Sequence, residues 1–326
     1  MTAELIDPAL SEQIAESWER FIELVEPHRP ELFGFARRLT RNAFDAEDLV
    51  HDALMRAFGT VASGRIRNPR AYLFRILSNL WIDELRRSRP ESAGGEEEQH
   101  ADPDTSGRGD ELRDAAERAL GVLSPRERVA VVLKDAFGLS HAEIADVISS
   151  SEGAVKVALH RGRRRLAEDR ARPARRPRVS RELVDRFVEA FRAHDLERLR
   201  PLLLETVETE VFPCGVGVGL DHAERSGWLR GAFYHHSPEH EAREELYPRR
   251  FEVQVLEGEP VVLVFRSYAT GEALEELWRF EEDAGQIARV RDYCFSPDLL
   301  RWAADQLDLP LRASGYRFTP LSERES

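Results

Sequence analysis

The sequence predicts a multidomain chain, two all-α domains followed by an α+β domain, and three observations carry that reading. Residues 15–90 and 111–169 repeat apolar side chains at helical spacing. After Ser180 the texture changes to one helical stretch and then segments that alternate apolar and polar side chains, as strands do. Two stretches unable to build a core separate these parts: ESAGGEEEQHADPDTSGRGD at 91–110 and RARPARRPRVS at 170–180. Domains are therefore expected at 15–90, 111–169 and 181–326, joined by an acidic flexible linker and a basic proline-containing one.

At 326 residues and 42% hydrophobic side chains, the chain can bury more than one core. No apolar run approaches the roughly 18 residues of a membrane span, and the start, MTAELIDPAL, is acidic where a signal peptide would be basic. A cytoplasmic location with no membrane partner is expected. Cys214 and Cys294 lie far apart with no CxxC pattern, which predicts neither a disulfide framework nor a zinc site. His236 and His240 have the spacing of a metal pair, but Pro238 between them argues against the helix that would hold one, so neither metal nor cofactor is expected.

Charge is unevenly distributed. Residues 1–178 carry 29 basic against 31 acidic side chains, and residues 179–326 carry 18 against 29. Within 153–178 there are ten basic residues against Glu168 and Asp169 alone. A local patch of that kind can meet a polyanion although the chain as a whole has a formal charge of −13.

The patch sits in a readable context. SPRE at 124–127 is a capping box with proline at the first helical position, followed by Val129, Val132, Leu133 and Ala136 at helical spacing and by Gly138 as a stop. SHAE at 140–143 is a second capping box, opening a short helix with Ile144, Ala145 and Ile148 inward. After the Ser149–Ser150 turn, Ser151 caps a third helix whose Val155, Leu159 and Leu166 share one face. Short helix, tight turn and longer basic helix form the helix-turn-helix pattern. The turn lacks glycine, so Ser149 or Ser150 is expected to take a left-handed conformation. The outward face of that helix carries Glu152, Gly153, Lys156, His160, Arg161 and Arg164; in a major groove its N-terminal residues would read base edges, while the later arginines would neutralise phosphates.

Two earlier helices add detail. DAEDLVHDALMRAF at 45–58 sets an apolar stripe, Ala46, Leu49, Val50, Ala53 and Ala57, against a face of Asp48, His51, Asp52 and Met55. Carboxylates repel phosphate, so this face suits a protein partner. In NPRAYLFRILSNLWIDELRRSR at 68–89, Leu73, Ile76, Leu77 and Leu80 point one way, and Arg75, Asn79, Asp83 and Arg86 recur on another side. A basic helix with Tyr72 and Trp81 nearby can track a backbone and offer rings to unstacked bases, although for Trp81 itself a place in the core is the preferred reading.

These three blocks, in this order around an acidic linker, resemble sigma-70-type factors of the extracytoplasmic-function (ECF) group over residues 15–169. The resemblance implies a sigma factor that brings core RNA polymerase to promoter DNA. It gives Asp48, Leu49, Asp52 and Met55 the docking role on the beta-prime clamp helices, with the beta flap as a further polymerase contact. It makes Asn68, Arg70, Tyr72, Arg75, Asn79 and Arg86 the minus-10 reader, which captures a flipped base. Ser151, Glu152, Gly153, Lys156, Arg161 and Arg164 become the minus-35 reader, and 91–110 the segment that threads the polymerase channel.

The remainder, from ELVDRFVEAFRAHDLERLRPLL at 182–203 through FEVQVLE, VVLVFRSY and IARVRDYCF to FSPDLL at 295–300, resembles the SnoaL-like cone-shaped α+β fold. That resemblance implies a domain that regulates sigma activity, with Asp221, Trp228, Arg266, Trp278 and Asp292 lining a pocket for a small-molecule ligand. No catalytic residue is expected. Two other readings stay open: a helix-turn-helix regulator that never docks on polymerase, and a SnoaL-like isomerase or hydrolase tethered to DNA, for which Asp221, His222, Asp292, Arg266 and Arg291 would be the available groups.

Overall fold

The caps written into the sequence become helix starts. The computed structural model describes residues 20–61, 68–87, 123–168, 179–193, 195–211, 215–220, 223, 249–268 and 271–312. The chain divides into two units, Met1–Pro173 and Ala174–Ser326. Both linkers lie largely or wholly outside the described residues.

In the first unit, residues 20–25 are helical and a 3-10 turn, Glu26–His28, leads into α1 (Arg29–Thr40). Helix α1 stops where Arg41 turns left-handed, φ 64°. Asn42 then caps α2 (Ala43–Val61): its Oδ1 accepts from the Phe44 and Asp45 backbone N–H groups, each at 3.0 Å. The expected stripe, Ala46, Leu49, Val50, Ala53 and Ala57, is buried. A buried ion pair, Arg29 to Glu47 at 2.5 Å, ties α1 to α2, and losing one partner of such a pair costs about 3–5 kcal/mol. Asn68 caps α3 (Pro69–Arg87) by accepting from Ala71, and Leu73, Phe74, Leu77, Leu80 and Trp81 are buried.

The second set of helices follows its two capping boxes. Glu127 in α4 (Pro125–Asp135) accepts from the Ser124 N–H at 2.9 Å. At the start of α5 (His141–Val147), Ser140 and Glu143 satisfy each other's backbone N–H groups. Ser149 takes the left-handed conformation, φ 49°, and Ser151 caps α6 (Glu152–Glu168) by accepting from Ala154. Val155 and Leu159 are buried, Leu166 is half-buried, and Ala136 is exposed at the end of α4.

Phe137, between α4 and α5, interlocks the two sets. Its ring centroid is 5.8 Å from Phe35 on α1 and 5.5 Å from Phe74 on α3, both edge to face. Arg128 donates to the Leu39 carbonyl at 2.7 Å and lies 5.2 Å from the Trp81 ring. Both DNA-reading candidates therefore hang on one packed body.

Gly162 decides how α6 lies on α4. A Cβ there would stand 2.9 Å from Val131 Cγ2 and 3.6 Å from Glu127 Cβ. Valine is stiff at χ1, so little can give way.

In the second unit, α7 (Arg181–Arg192) buries Leu183, Val184, Phe187, Val188 and Phe191 along one face. Asp195 caps α8 (Leu196–Leu199), and a 3-10 turn, Arg200–Leu202, enters the sheet. The strands are β1 (Leu203–Val211), β2 (Gly215–Val218), β3 (Arg249–Leu256), β4 (Glu259–Tyr268), β5 (Gly271–Asp283) and β6 (Gln286–Asp292), in spatial order β2-β1-β6-β5-β4-β3. Among the described strands, β1 and β6 pair in parallel and the other neighbours pair antiparallel. Glu257–Gly258 and Ala284–Gly285 close two-residue hairpins with positive φ at both positions, the twist that suits paired strands. Phe187 and Phe191 pack against Val262, Val264, Trp278, Phe280 and Val290, and α9 (Pro297–Leu307) lies against β5. The expected class, helical sigma-type domains followed by a helix-and-mixed-sheet domain, is the one observed.

The inner face of that sheet holds an acidic pair at a cost. Glu276 and Asp292 precede and oppose Trp278, and burial pushes both carboxyls above their usual range. Asp292 is driven well above it, the neighbouring Glu276 adding to the effect of burial.

Two outcomes test this packing. Ala at an exposed helical glycine usually gains about 1 kcal/mol; Gly162→Ala should instead lower stability by about 1 kcal/mol in urea unfolding, because the contact with Val131 outweighs propensity. For Asp292, a folded pKa above the unfolded one gives stability that is fully present below the unfolded value and lost as pH rises through the folded one. Asp292→Asn keeps the oxygen that accepts from Cys294 and removes the charge. Its melting temperature should match the native one near pH 4 and exceed it increasingly as pH rises from about 4; a constant offset across pH would contradict the assignment.

Candidate nucleic-acid interface

Four arginines crowd positions 161 to 165, and the fold divides them. Arg163 pairs with Asp135 at 2.5 Å, a contact that raises its pKa, and Arg165 pairs with Glu127 at 2.6 Å. Both carboxylates belong to α4, so these two arginines lie along the helix that α6 packs on. Lys156, His160, Arg161 and Arg164 are exposed on the outer side of α6, with Ser151, Glu152 and Gly153 exposed at its start. Of the six residues expected to meet minus-35 DNA, five are thus exposed on α6, and the sixth, Ser151, is the exposed residue that caps it. The helix N-terminus adds partial positive charge where phosphate or base acceptors would approach.

The second set is split. At about 100° per residue, Tyr72, Arg75, Asn79 and Arg86 fall on one stripe of α3. Arg75 lies 5.5 Å from the Tyr72 ring, Arg86 pairs with Asp83 at 3.4 Å, and Asn79 is exposed. Asn68 is spent on the helix cap. Arg70 leaves the stripe: its Nε meets Glu31 at 2.6 Å, its guanidinium lies 5.2 Å from the Phe74 ring, and its charge reaches Glu143. Glu143 is held below its usual range, first by the hydrogen bonds with Ser140 and then by such charges.

On α2, Asp52 and Met55 are exposed, Met55 by 37%, and Asp48 is half-buried. Leu49 is 5% exposed and belongs to the core, so it supports this face from below.

In the second unit, Arg266, Trp278 and Asp292 are all buried, while Asp221 and Trp228 lie outside the described residues, as do His222, His236 and His240. Glu276, which was not anticipated, links the three. It accepts from Trp278 Nε1 at 3.3 Å, lies 3.9 Å from Arg266, and acts electrostatically on Asp292. Glu275, also unanticipated, accepts from Arg266 at 2.5 Å and from the Tyr268 hydroxyl at 2.7 Å. Burial and that acceptor push Tyr268 up to about 12. Period two along β5, counted back from Trp278, was the signal that places Glu276 on the same face. A register shift near Val264/Phe265 hides Glu275 from that count.

Comparison with known proteins follows the same division. Residues 24–91 match the Sigma-70 region 2 family and residues 113–166 the Sigma-70, region 4 family. The ECF RNA polymerase sigma factor SigG of Mycobacterium tuberculosis is 31% identical over 243 residues, covering 64% of this chain and 62% of that protein. The probable ECF RNA polymerase sigma factor SigI of Mycobacterium tuberculosis is 32% identical over 211 residues, covering 61% of this chain and 72% of its own. Among solved structures, the Mycobacterium tuberculosis extracytoplasmic function sigma factor SigJ is 25% identical, covering 83% of this chain and 95% of that chain with a TM-score of 0.33. The chain thus spans 62% of the length of SigG, and a match covering 64% of this chain must run past Pro173 into the second unit. The family matches in both helical sets, together with relatives at this identity, show that the chain belongs to the ECF family of RNA polymerase sigma factors.

Proposed function

We propose that this chain recruits core RNA polymerase to promoters, through α2 on the polymerase, α3 on the minus-10 element and α6 on the minus-35 element. The observation that carries the reading is the division of charge on α6, where Asp135 and Glu127 engage Arg163 and Arg165 and the outer side presents Lys156, Arg161 and Arg164. An acidic face with an exposed Met55 on the same packed body supports a protein partner beside the DNA. The beta-prime clamp helices are the partner for Asp48, Asp52 and Met55, and the beta flap is a further contact. The stripe Tyr72, Arg75, Asn79 and Arg86 takes the single strand, with a ring available for an unstacked base.

The α+β unit, whose helix-on-sheet arrangement agrees with a SnoaL-like domain, regulates this activity in the cytoplasm. A small ligand beside Trp278 and Arg266 is one means. The raised carboxyls Glu276 and Asp292 favour a second reading, acid–base chemistry in that unit. Their enclosure beside Trp278 is that of a core pair, so the regulatory reading is the one kept.

Two measurements test the first reading. Reversing the acidic face with Asp48→Arg and Asp52→Arg together should weaken binding to purified core polymerase at least about tenfold, through lost complementarity. Binding equal to that of the native chain would remove α2 from the docking surface. For DNA, Lys156→Ala, Arg161→Ala and Arg164→Ala combined should reduce the slope of log affinity against log salt by roughly 2–3 units. Arg163→Ala with Arg165→Ala should change it less, because those guanidinium groups already face carboxylates.

A further inference from the structure

The outer side of α6 is basic at its edges, and its centre is neutral over the first two turns before Arg164 follows. Val155, Leu159, Gly162 and Leu166 define the side packed on the rest of the unit. At about 100° per residue, the position diametrically opposite that stripe is Val157, with Gly153 one turn before it and Arg164 two turns after. Val157 is 49% exposed, among the few large apolar side chains so placed in the described residues. Lys156, His160 and Arg161 stand around it, all exposed.

Gly153 is equally unexplained by the chain's own packing. A Cβ added there would meet only Ser151 Oγ, at 3.9 Å, and its backbone is not in the left-handed region. Neither space nor φ asks for glycine. A side chain absent one turn before Val157 leaves room for something to approach the helix closely.

A basic rim around a neutral, protruding patch in the first two turns of the helix matches the chemistry of a DNA groove. Phosphates line the outside, and the bases' edges lie in the middle. Among the major-groove edges of the four bases, the apolar group is the C5-methyl of thymine. Valine suits that contact, because its χ1 is nearly fixed in a helix and its methyls lose little freedom on binding.

We infer that Val157 determines sequence preference by contacting a thymine methyl in the minus-35 element, and that Gly153 provides the clearance. This rests on the minus-35 reading of α6 proposed above and adds to it the identity of one base. Lys156, Arg161 and Arg164 then supply affinity without choosing the sequence at that position.

The test uses the full chain at low salt and duplexes that it selects from a randomised pool. Each thymine of the preferred sequence is replaced singly by deoxyuridine, which removes the methyl and nothing else. One replacement should weaken native binding about threefold to fivefold, the effect of about one buried methyl. Val157→Ser should lose a similar factor on the thymine duplex, become indifferent to deoxyuridine at that position, and keep the native salt slope. Its exposed position protects the fold, and thermal unfolding provides the check. A native chain insensitive to every deoxyuridine, or a serine variant that responds to each as the native chain does, would overturn the contact and leave the minus-35 reading standing. Failure to select any preferred duplex would overturn that reading and the contact with it.

Discussion

The close crossing of α6 over α4 at Gly162 is the constraint on which the DNA-reading geometry depends. With no side chain at that position, the Val131 methyl reaches the helix, and α6 can have only one side inward. The carboxylates of Asp135 and Glu127 then lie alongside, where they engage Arg163 and Arg165. The first pair is about half exposed on both sides, and such pairs contribute roughly 0–1 kcal/mol. Glu127 is only 8% exposed, so its pair with Arg165 is less screened. These contacts orient more than they stabilise. The apolar crossing determines the helix's position, and the ion pairs select which guanidinium groups lie along α4.

The same logic extends to the interlock around Phe137. Aromatic edges from α1 and α3 meet one ring in the turn after α4, and Arg128 adds a carbonyl and an indole to its contacts. This brings Arg70 beside Glu31 and within electrostatic reach of Glu143. A positively charged side chain near the start of α3 thereby acquires a packing role. The stripe from Tyr72 to Arg86 is left on another side of α3.

Features fixed by near neighbours in the chain were legible in advance, because their physics is local. The Ser140–Glu143 box, the left-handed Ser149 and the buried stripe of α2 follow from i, i+3 and i, i+4 relations and from the absence of a glycine in the turn. Trp81, which the sequence offered both as core and as a ring for a base, is buried. What required distant partners was not. Arg70 finds Glu31 39 residues away, and Gly162 answers Val131 across two helices. Leu49 sits in a recognisable docking motif and in the apolar stripe at once, and burial assigns it to the stripe. In the second unit, the shift of register near Val264 places Glu275 and Glu276 together at Arg266, which strict alternation would have put on opposite faces.

Charge separates the work of the two units. The second carries 29 acidic against 18 basic residues from 179 onward, and its strand arginines are already committed: Arg250 to Glu252 and Glu272, Arg279 to Glu259, Arg289 to Glu208 and Arg291 to Glu210. Neutralising phosphates requires cations that can release condensed counterions, and cations held by carboxylates do this poorly. The acidic excess repels DNA at any range that salt leaves unscreened. From residue 179 onward this charge balance favours contact with protein over contact with DNA. On one face of that unit's sheet a buried tryptophan, an arginine and two carboxyls with raised pKa sit together as part of the core, and burial is what raises those carboxyls.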